Sequence, residues 1–420
     1  MTILVISLLR LGDLILQRPL IEGLRRKHPG CEIHLVANRQ FNGCEFLFEG
    51  LVARFHYFDR EALQKSSGEN QYNILWGFAK LQAFVASVNS HSYEHVYNLT
   101  HNRLSAHLAG LIPAKRYHGL HAAEGKFLGL NTPWIRFFNA YFGRPEATGF
   151  HYTELLALAL DIPLAASAQR ESSVVPRSEG AGAILLQPLT SDVKKNWRIE
   201  GFLEVARRLK QETALPVLIL GAPFERGRLE AIIPADFLRI CELDEAAALI
   251  RSASLLVTGD TSIKHLAAMY DTKILELSLG SSQPLQVGAF KNDSIILQPR
   301  VSCGPCPHSE PCTKTRHLCG DELMVDAVTE AALALVGDAA KDWMKFAYDH
   351  PELRVFATAI RPVVGWTVEC LSIADKSKFD EVLQQKTMIV EELNRRQEAS
   401  KGVSHEQRFR SLPERGTEAS

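Results

Sequence analysis

The stretch Gly259-Asp260-Thr261-Ser262-Ile263-Lys264-His265 brings a carboxylate, two hydroxyls, an ammonium and an imidazole into one short run. The apolar Leu255-Leu256-Val257 precedes it, and helical spacing through Leu266, Ala267 and Tyr270 follows. A strand, a polar turn and a helix start leave free backbone N–H groups at the turn, which is a ready site for an anion such as a phosphate. A second candidate is Arg10-Leu11-Gly12-Asp13, after the apolar Ile3–Ile6. The glycine permits a sharp turn, and Asp13 offers a carboxylate for proton transfer, with helix capping as the plain alternative. Lys195, in Lys195-Asn196-Trp197, is a point charge suited to a diphosphate, or simply a surface lysine. Glu225 closes the loop Gly221-Ala222-Pro223-Phe224-Glu225, where an acidic residue after a strand can hold ribose hydroxyls. His265 falls off the apolar face made by Ile263, Leu266, Ala267 and Tyr270, which favours a site residue over a core histidine. Cys303, Cys306, Cys312 and Cys319 crowd one loop at spacings that suit tetrahedral zinc, with reduced free thiols as the alternative.

The elements that must position these residues alternate between strand and helix. Ile3–Ile6, Glu32–Ala37, Ala53–Phe58 and Tyr93–Leu99 read as strands, with helices over 14–27, 76–88 and beyond Leu104. Pro19 marks either a kink or a helix start. The pattern becomes irregular over 113–133 and is helical again over 151–160. The small, polar, Pro- and Gly-containing stretch 165–182 reads as a linker. A second alternating unit begins at Ala183–Leu186 and continues through helix 199–211, strand 216–220, helix 226–233, a short helix 245–250 and the turn at Asp260. Helix returns over 321–335. Residues 342–372 are mixed and apolar, 376–396 form a charged amphipathic helix, and the tail from Ala399 has a disordered composition. Such alternation implies parallel α/β sheets, and two units facing each other would hold a ligand between them.

Bulk properties narrow the class. The chain has 420 residues, enough for about two or three domains. With 47 basic and 48 acidic residues it is nearly neutral, which argues against a dedicated nucleic-acid binder. The run Arg25-Arg26-Lys27-His28 suits a solvated helix C-terminus. The apolar start lacks the basic segment and cleavage site of a signal peptide and reads as a buried strand. No apolar run reaches about 20 residues, so the expectation is a cytoplasmic protein with at most peripheral membrane contact. The turn after the first strand is not Gly-x-Gly-x-x-Gly, which disfavours a nicotinamide oxidoreductase.

Order and spacing together are more specific than any single motif. The chain resembles the bacterial ADP-heptose:lipopolysaccharide heptosyltransferases, glycosyltransferase family 9, over roughly residues 1–335. The resemblance rests on Arg10-Leu11-Gly12-Asp13 with Pro19, on Lys195-x-Trp197 with Glu200 and Phe202, and on the loop Gly221 to Glu225. Asp260-Thr261-x-x-x-His265-Leu266-Ala267 and the cysteine loop complete it. The family usually has glycine at Ser262 and proline at Ile263.

The resemblance implies a GT-B architecture, two Rossmann-like doubly wound domains with an interdomain cleft, here followed by a C-terminal helical extension. The expected division is 1–165 for the acceptor domain, 166–338 for the nucleotide-sugar domain, 339–398 for the extension and 399–420 for the tail. The implied reaction is inverting transfer of heptose from an ADP-heptose donor to the lipopolysaccharide inner core. Transfer of another nucleotide-activated sugar to a surface glycan, or silent binding of a nucleotide sugar, are the alternatives. Asp13 would be the general base, and its place at a helix N-terminus suggests a weak one. Lys195 would neutralise the departing ADP and Glu225 would hold the ribose. Asp260 would bind sugar hydroxyls, while Thr261, Ser262 and His265 would cradle the diphosphate. No catalytic metal is required, and the cysteine loop is a candidate for structural zinc.

Overall fold

Residues of β1 (Thr2–Ser7) are apolar on both faces because helices cover both sides of its sheet. Ile3 and Val5 enter one core with Leu20, Leu24 and Leu35, while Leu4 and Ile6 enter another with Val36, Val88 and Val96. The computed structural model describes residues 1–65, 74–130, 133–141, 149–164, 182–308, 310–337 and 341–401. The first sheet adds β2 (Glu32–Asn38), β3 (Arg54–Phe58), β4 (Tyr93–Asn98) and β5 (Ala114–His118), all parallel, in the order β3-β2-β1-β4-β5. A small hairpin of β6 (His121–Ala123) and β7 (Lys126–Leu128) follows.

Pro19 starts a helix rather than kinking one. A short helix, Leu11–Leu16, ends at Gln17, and Arg18–Lys27 begins anew with the proline in its first turn, where its missing N–H costs nothing. The helix Ile74–Val88 turns Leu81, Phe84, Val85 and Val88 onto the sheet at helical spacing.

The second sheet contains β8 (Ile184–Gln187), β9 (Val217–Gly221), β10 (Leu238–Ile240), β11 (Leu255–Thr258), β12 (Lys273–Leu277) and β13 (Ile295–Pro299), then β14 (Leu353–Arg361) and β15 (Gly365–Cys370). Its order is β10-β9-β8-β11-β12-β13-β14-β15, parallel as far as β13 and antiparallel beyond. The first six strands thus follow the doubly wound order, with the reversal between β8 and β11. The expected linker, 165–182, lies outside the described residues except for Gly182, as does the tail from 402 onward.

The extension opens with a short helix, Trp343–Asp349, and ends in a long one, Ile373–Lys401, but β14 and β15 lie between them, so it is not helical throughout. Those strands extend the second sheet, and the helix then returns to the first domain. Lys386, buried on that helix, donates to Glu154 Oε2 at 2.6 Å and to the carbonyl of Trp366. Glu154 lies on the first-domain helix Tyr152–Ala159, and its other oxygen accepts from Trp366 N at 2.8 Å. His151, capping that helix, lies 3.1 Å from Gly288 O, and its Nδ1 accepts from Thr153 N, so Nε2 carries the proton and donates. The extension therefore clamps the two domains together. Among the described residues, no helix is long and apolar enough to cross a membrane.

Candidate active site

The chemistry-bearing loops all follow carboxyl ends of strands, where ligands bind in such sheets. Lys195 follows β8 and Asp260 follows β11, so the two flank the reversal of the second sheet. Gln187 and Thr258 close these strands in register, and Thr258 Oγ1 donates to Gln187 Oε1 at 2.9 Å beneath the loops. Above them, Lys195 Nζ donates to Asp260 Oδ2 at 2.7 Å. Asp260 Oδ1 accepts from Lys264 Nζ at 2.8 Å. Burial alone would raise the carboxyl of Asp260, but the Lys264 and Lys195 ammoniums hold it well below the usual carboxylate range. Each oxygen retains a further lone pair for a ligand.

Lys264 is not a phosphate ligand in this arrangement. It is fully buried and spends its three donors on Asp260, on Glu276 Oε1 at 2.8 Å and on Val287 O at 2.8 Å. At the start of this helix Thr261 and Ser262 remain half-buried, with Thr261 as the N-cap. His265 is not on an open face either. It is 6% exposed, and a side-chain carbon on Gly12 would stand 3.3 Å from its Cδ2. The face away from its own core is where the first domain packs, which helical spacing within one unit does not reveal. Burial first, then Lys264, lowers its pKa to about 3, so the ring is neutral. Its Nδ1 has no hydrogen-bond partner among the described residues.

Asp13 comes from the other domain. It sits in the first turn of helix Leu11–Leu16, and Arg10 N donates to its Oδ2 at 3.3 Å, so it also serves the capping role. The expectation of a weak base is reversed. Burial raises its pKa, the hydrogen bond from Arg10 opposes this, and the Asp260 charge raises it further. The helix terminus is outweighed by loss of water and by a carboxylate facing it across the domain junction. Helix Leu11–Leu16 packs on helix Ser262–Ala267, and Gly12 lies at that contact, where a Cβ would stand 3.6 Å from Ser262 Cα and 3.3 Å from His265 Cδ2.

Glu225 stands apart from this cluster, at the carboxyl end of β9, the strand beside β8. Its Oε2 accepts from Ala222 N at 2.8 Å, and burial raises its pKa. No disulfide joins the four cysteines to one another or to any other described residue. Their loop is docked beside the site by Lys194, whose buried Nζ donates to the carbonyls of Pro307, His308 and Glu310 at 2.9, 2.9 and 2.6 Å. Gly280, at φ +59°, lets the Lys194 carbonyl approach where a side chain would collide. Cys319 Sγ lies 3.4 Å from His317 Nε2, and this contact raises His317 to about 9. Among the described residues, no three ligand atoms of the cysteine loop lie within 4.8 Å of one another.

Sequence reasoning overlooked Lys194, His308 and His101. Lys194 is indistinguishable from Lys195 by type, and only the fold buries one and turns the other toward Asp260. His308 belongs to the cysteine loop, yet the charges of Lys195 and Arg10 bear on it, after burial, in lowering its pKa. His101 follows β4 with φ +56°, a strained conformation for a non-glycine residue, and its buried Nε2 has no hydrogen-bond partner. It lies at the first sheet's own reversal, between β1 and β4.

Two doubly wound domains with a carboxylate on one side and a lysine–carboxylate pair on the other define a GT-B glycosyltransferase. The sequence profile of glycosyltransferase family 9 (heptosyltransferase) matches residues 81–316, and the chain belongs to that family. No curated protein matches it by sequence. Among solved structures, the family 9 glycosyltransferase of Veillonella parvula DSM 2008 is 18% identical with a TM-score of 0.60, covering 80% of this chain and 97% of its own. E. coli ADP-heptose lps heptosyltransferase II is 17% identical, TM-score 0.55, covering 80% and 98%. The E. coli heptosyltransferase WaaC, solved with ADP-2-deoxy-2-fluoro heptose, is 15% identical, TM-score 0.52, covering 79% and 99%. These likenesses establish the shared fold.

Proposed function

We propose that this enzyme transfers a heptose from ADP-heptose to a hydroxyl of the lipopolysaccharide inner core, with inversion. The observation that carries the reading is Asp13 of the first domain facing the Lys195–Asp260 pair of the second. In the proposed reaction Asp13 takes the acceptor proton as the acceptor oxygen bonds to the anomeric carbon. The bond from that carbon to the β-phosphate oxygen breaks, and ADP leaves with the electron pair. Lys195 and the backbone N–H groups of Thr261 and Ser262 stabilise the departing diphosphate, an electrostatic lever organised before the reaction, with His265 buried behind them. The upward shift of Asp13 makes it a better base than a solvated aspartate. Asp260 orients Lys195 and keeps lone pairs for sugar hydroxyls, and Glu225 meets the ribose from the end of β9.

The division follows: residues 1–165 receive the acceptor, and 166–338 hold the donor. The acceptor is a lipid-linked glycan, and we assign its approach to the first domain at the cytoplasmic face of the inner membrane. Leu75, Trp76 and Phe78 are exposed there on one helix, as are Phe127 and Leu128 on β7. Such residues suit peripheral contact with a lipid surface. Loss of liposome co-sedimentation in Trp76→Ser/Phe78→Ser would support this, and undiminished binding would remove it. The cysteine loop must tighten to take a zinc ion, and metal analysis of Cys319→Ser against the unaltered protein tests that.

Calorimetric titration with ADP, UDP and GDP is the decisive experiment. Preference for ADP supports the donor assignment. Preference for another nucleotide favours transfer of a different sugar. Binding of ADP with no transfer to any core acceptor leaves a silent binding protein.

A further inference from the structure

Three histidines lie at the opposite edge of the first sheet, where its strands begin, far along β1 from Asp13. His34 is in β2, His56 in β3, and His91 in the turn just before β4. One ligand atom from each lies within 4.8 Å of the others. His56 Nε2 stands 3.3 Å from His34 Nδ1. Tetrahedral zinc with bonds of about 2.0–2.1 Å to imidazole sets its nitrogens about 3.3 Å apart, so this pair already has the edge length of such a site.

Neighbouring groups turn the lone pairs inward. His34 Nε2 is 3.0 Å from Glu32 Oε1, and an ionised carboxylate only accepts. Nε2 therefore carries the proton, and the Nδ1 lone pair points into the cluster. Ser90 Oγ gives its single proton to Ser87 O at 2.7 Å, so it accepts from His91 Nδ1 at 3.0 Å, which frees Nε2 of His91 as a ligand. These are the outer hydrogen bonds that metal-ligating histidines make. Tyr93 Oη stands on a further side, 3.0 Å from His34 Nδ1 and 3.4 Å from His56 Nε2. Burial of His34 and His56 disfavours their charged forms and keeps the ligating one.

We propose that His34, His56 and His91 form a zinc site, with Glu32 orienting His34 and Tyr93 or a water completing the tetrahedron. The site ties β2 and β3 to the turn that enters β4. Its distance from Asp13 along the strands gives it a structural rather than a chemical role.

Cobalt(II) is the probe. Full-length protein stripped of metal and titrated with cobalt should take up one equivalent that gives the visible band of tetrahedral nitrogen–oxygen ligation. That equivalent should lack the near-ultraviolet sulfur-to-cobalt band and survive Cys319→Ser. His91 is half-buried, so His91→Gln should fold and yet lose this equivalent, while Glu32→Gln weakens it about 10- to 100-fold. Zinc should raise the Tm of the parent protein but not of His91→Gln. Unchanged cobalt uptake in His91→Gln, a spectrum carried wholly by sulfur, or no uptake would each overturn the proposal and leave three histidines joined only by hydrogen bonds.

Discussion

Lys195 Nζ lies 2.7 Å from Asp260 Oδ2, joining the loops after β8 and β11 across the point where the second sheet reverses direction. Both side chains are nearly dry, at 11% and 7% exposed, so their attraction is only weakly screened. In the proposed reaction this pair would place an ammonium where the leaving diphosphate gathers charge.

Removing that donor should cost rate more than binding. Lys195→Met is expected to lower kcat about 10²- to 10³-fold, the range for loss of one preorganised donor, with a smaller change in KM. Steady-state kinetics with the nucleotide-sugar donor check this. A fall confined to KM would mean that Lys195 binds substrate without favouring the transition state.

Asp13 should govern the acid side of the pH profile. Burial and then the Asp260 charge raise its pKa, so kcat/KM should fall at a pH above the ordinary aspartate range, about 4. Asp260→Asn removes the facing charge and should move that limb downward. The sign for stability is opposite to that of a paired carboxylate. A raised folded pKa means that ionising Asp13 opposes folding as pH climbs past its unfolded value. Asp13→Asn should therefore abolish turnover while leaving Tm at pH 7 unchanged or higher, the difference vanishing below about pH 4. A large fall in Tm at pH 7 would instead assign Asp13 a structural role.

Lys264 should behave as structure. It joins Asp260 and Glu276 in a buried triad, and Lys264→Met would leave both buried carboxyls without its ammonium. The expected loss is about 3–5 kcal/mol, read from the urea midpoint. A loss below about 1 kcal/mol would show that water enters the triad.

Gly12 should control how closely the domains meet. Its Cα passes Ser262 and His265 at distances that a Cβ would fill without severe clash, whereas a longer side chain would not fit. Gly12→Leu should hold the helices Leu11–Leu16 and Ser262–Ala267 apart, lowering kcat while each domain stays folded. Small-angle scattering would detect the opening, and an unchanged profile with full activity would refute it.

Much of this was legible in sequence because it depends on neighbours close along the chain. The apolar runs at Ile3–Ile6, Ala183–Leu186, Pro216–Leu220 and Leu255–Val257 mark strands whatever surrounds them, so Asp13, Lys195, Glu225 and Asp260, in the segments that follow, could be assigned to one kind of edge. The strands β14 and β15 were less legible. Their segment mixes apolar and charged residues without a clean period, and the edge of β13 recruits them. The burial of Lys194 and Lys264, the neutrality of His265 and the strained backbone of His101 were not legible at all. Each depends on which surface covers a residue, and periodicity within one domain does not contain that information.

By itself the sequence determined two doubly wound units, the strand-end loops and the residue types available for glycosyl transfer. Only the tertiary structure decided what those residues can do. It brought Asp13 within electrostatic reach of Asp260, about 250 residues away along the chain, and raised the proton affinity of a carboxyl that its helix position alone would lower. It also sorted the lysines, committing Lys264 to buried carboxylates and Lys194 to the cysteine loop while Lys195 faces the cleft. The physical reason is the same throughout. Local patterns set where a charge sits on its element, whereas burial and the charges brought beside it by folding set its proton affinity and its partners.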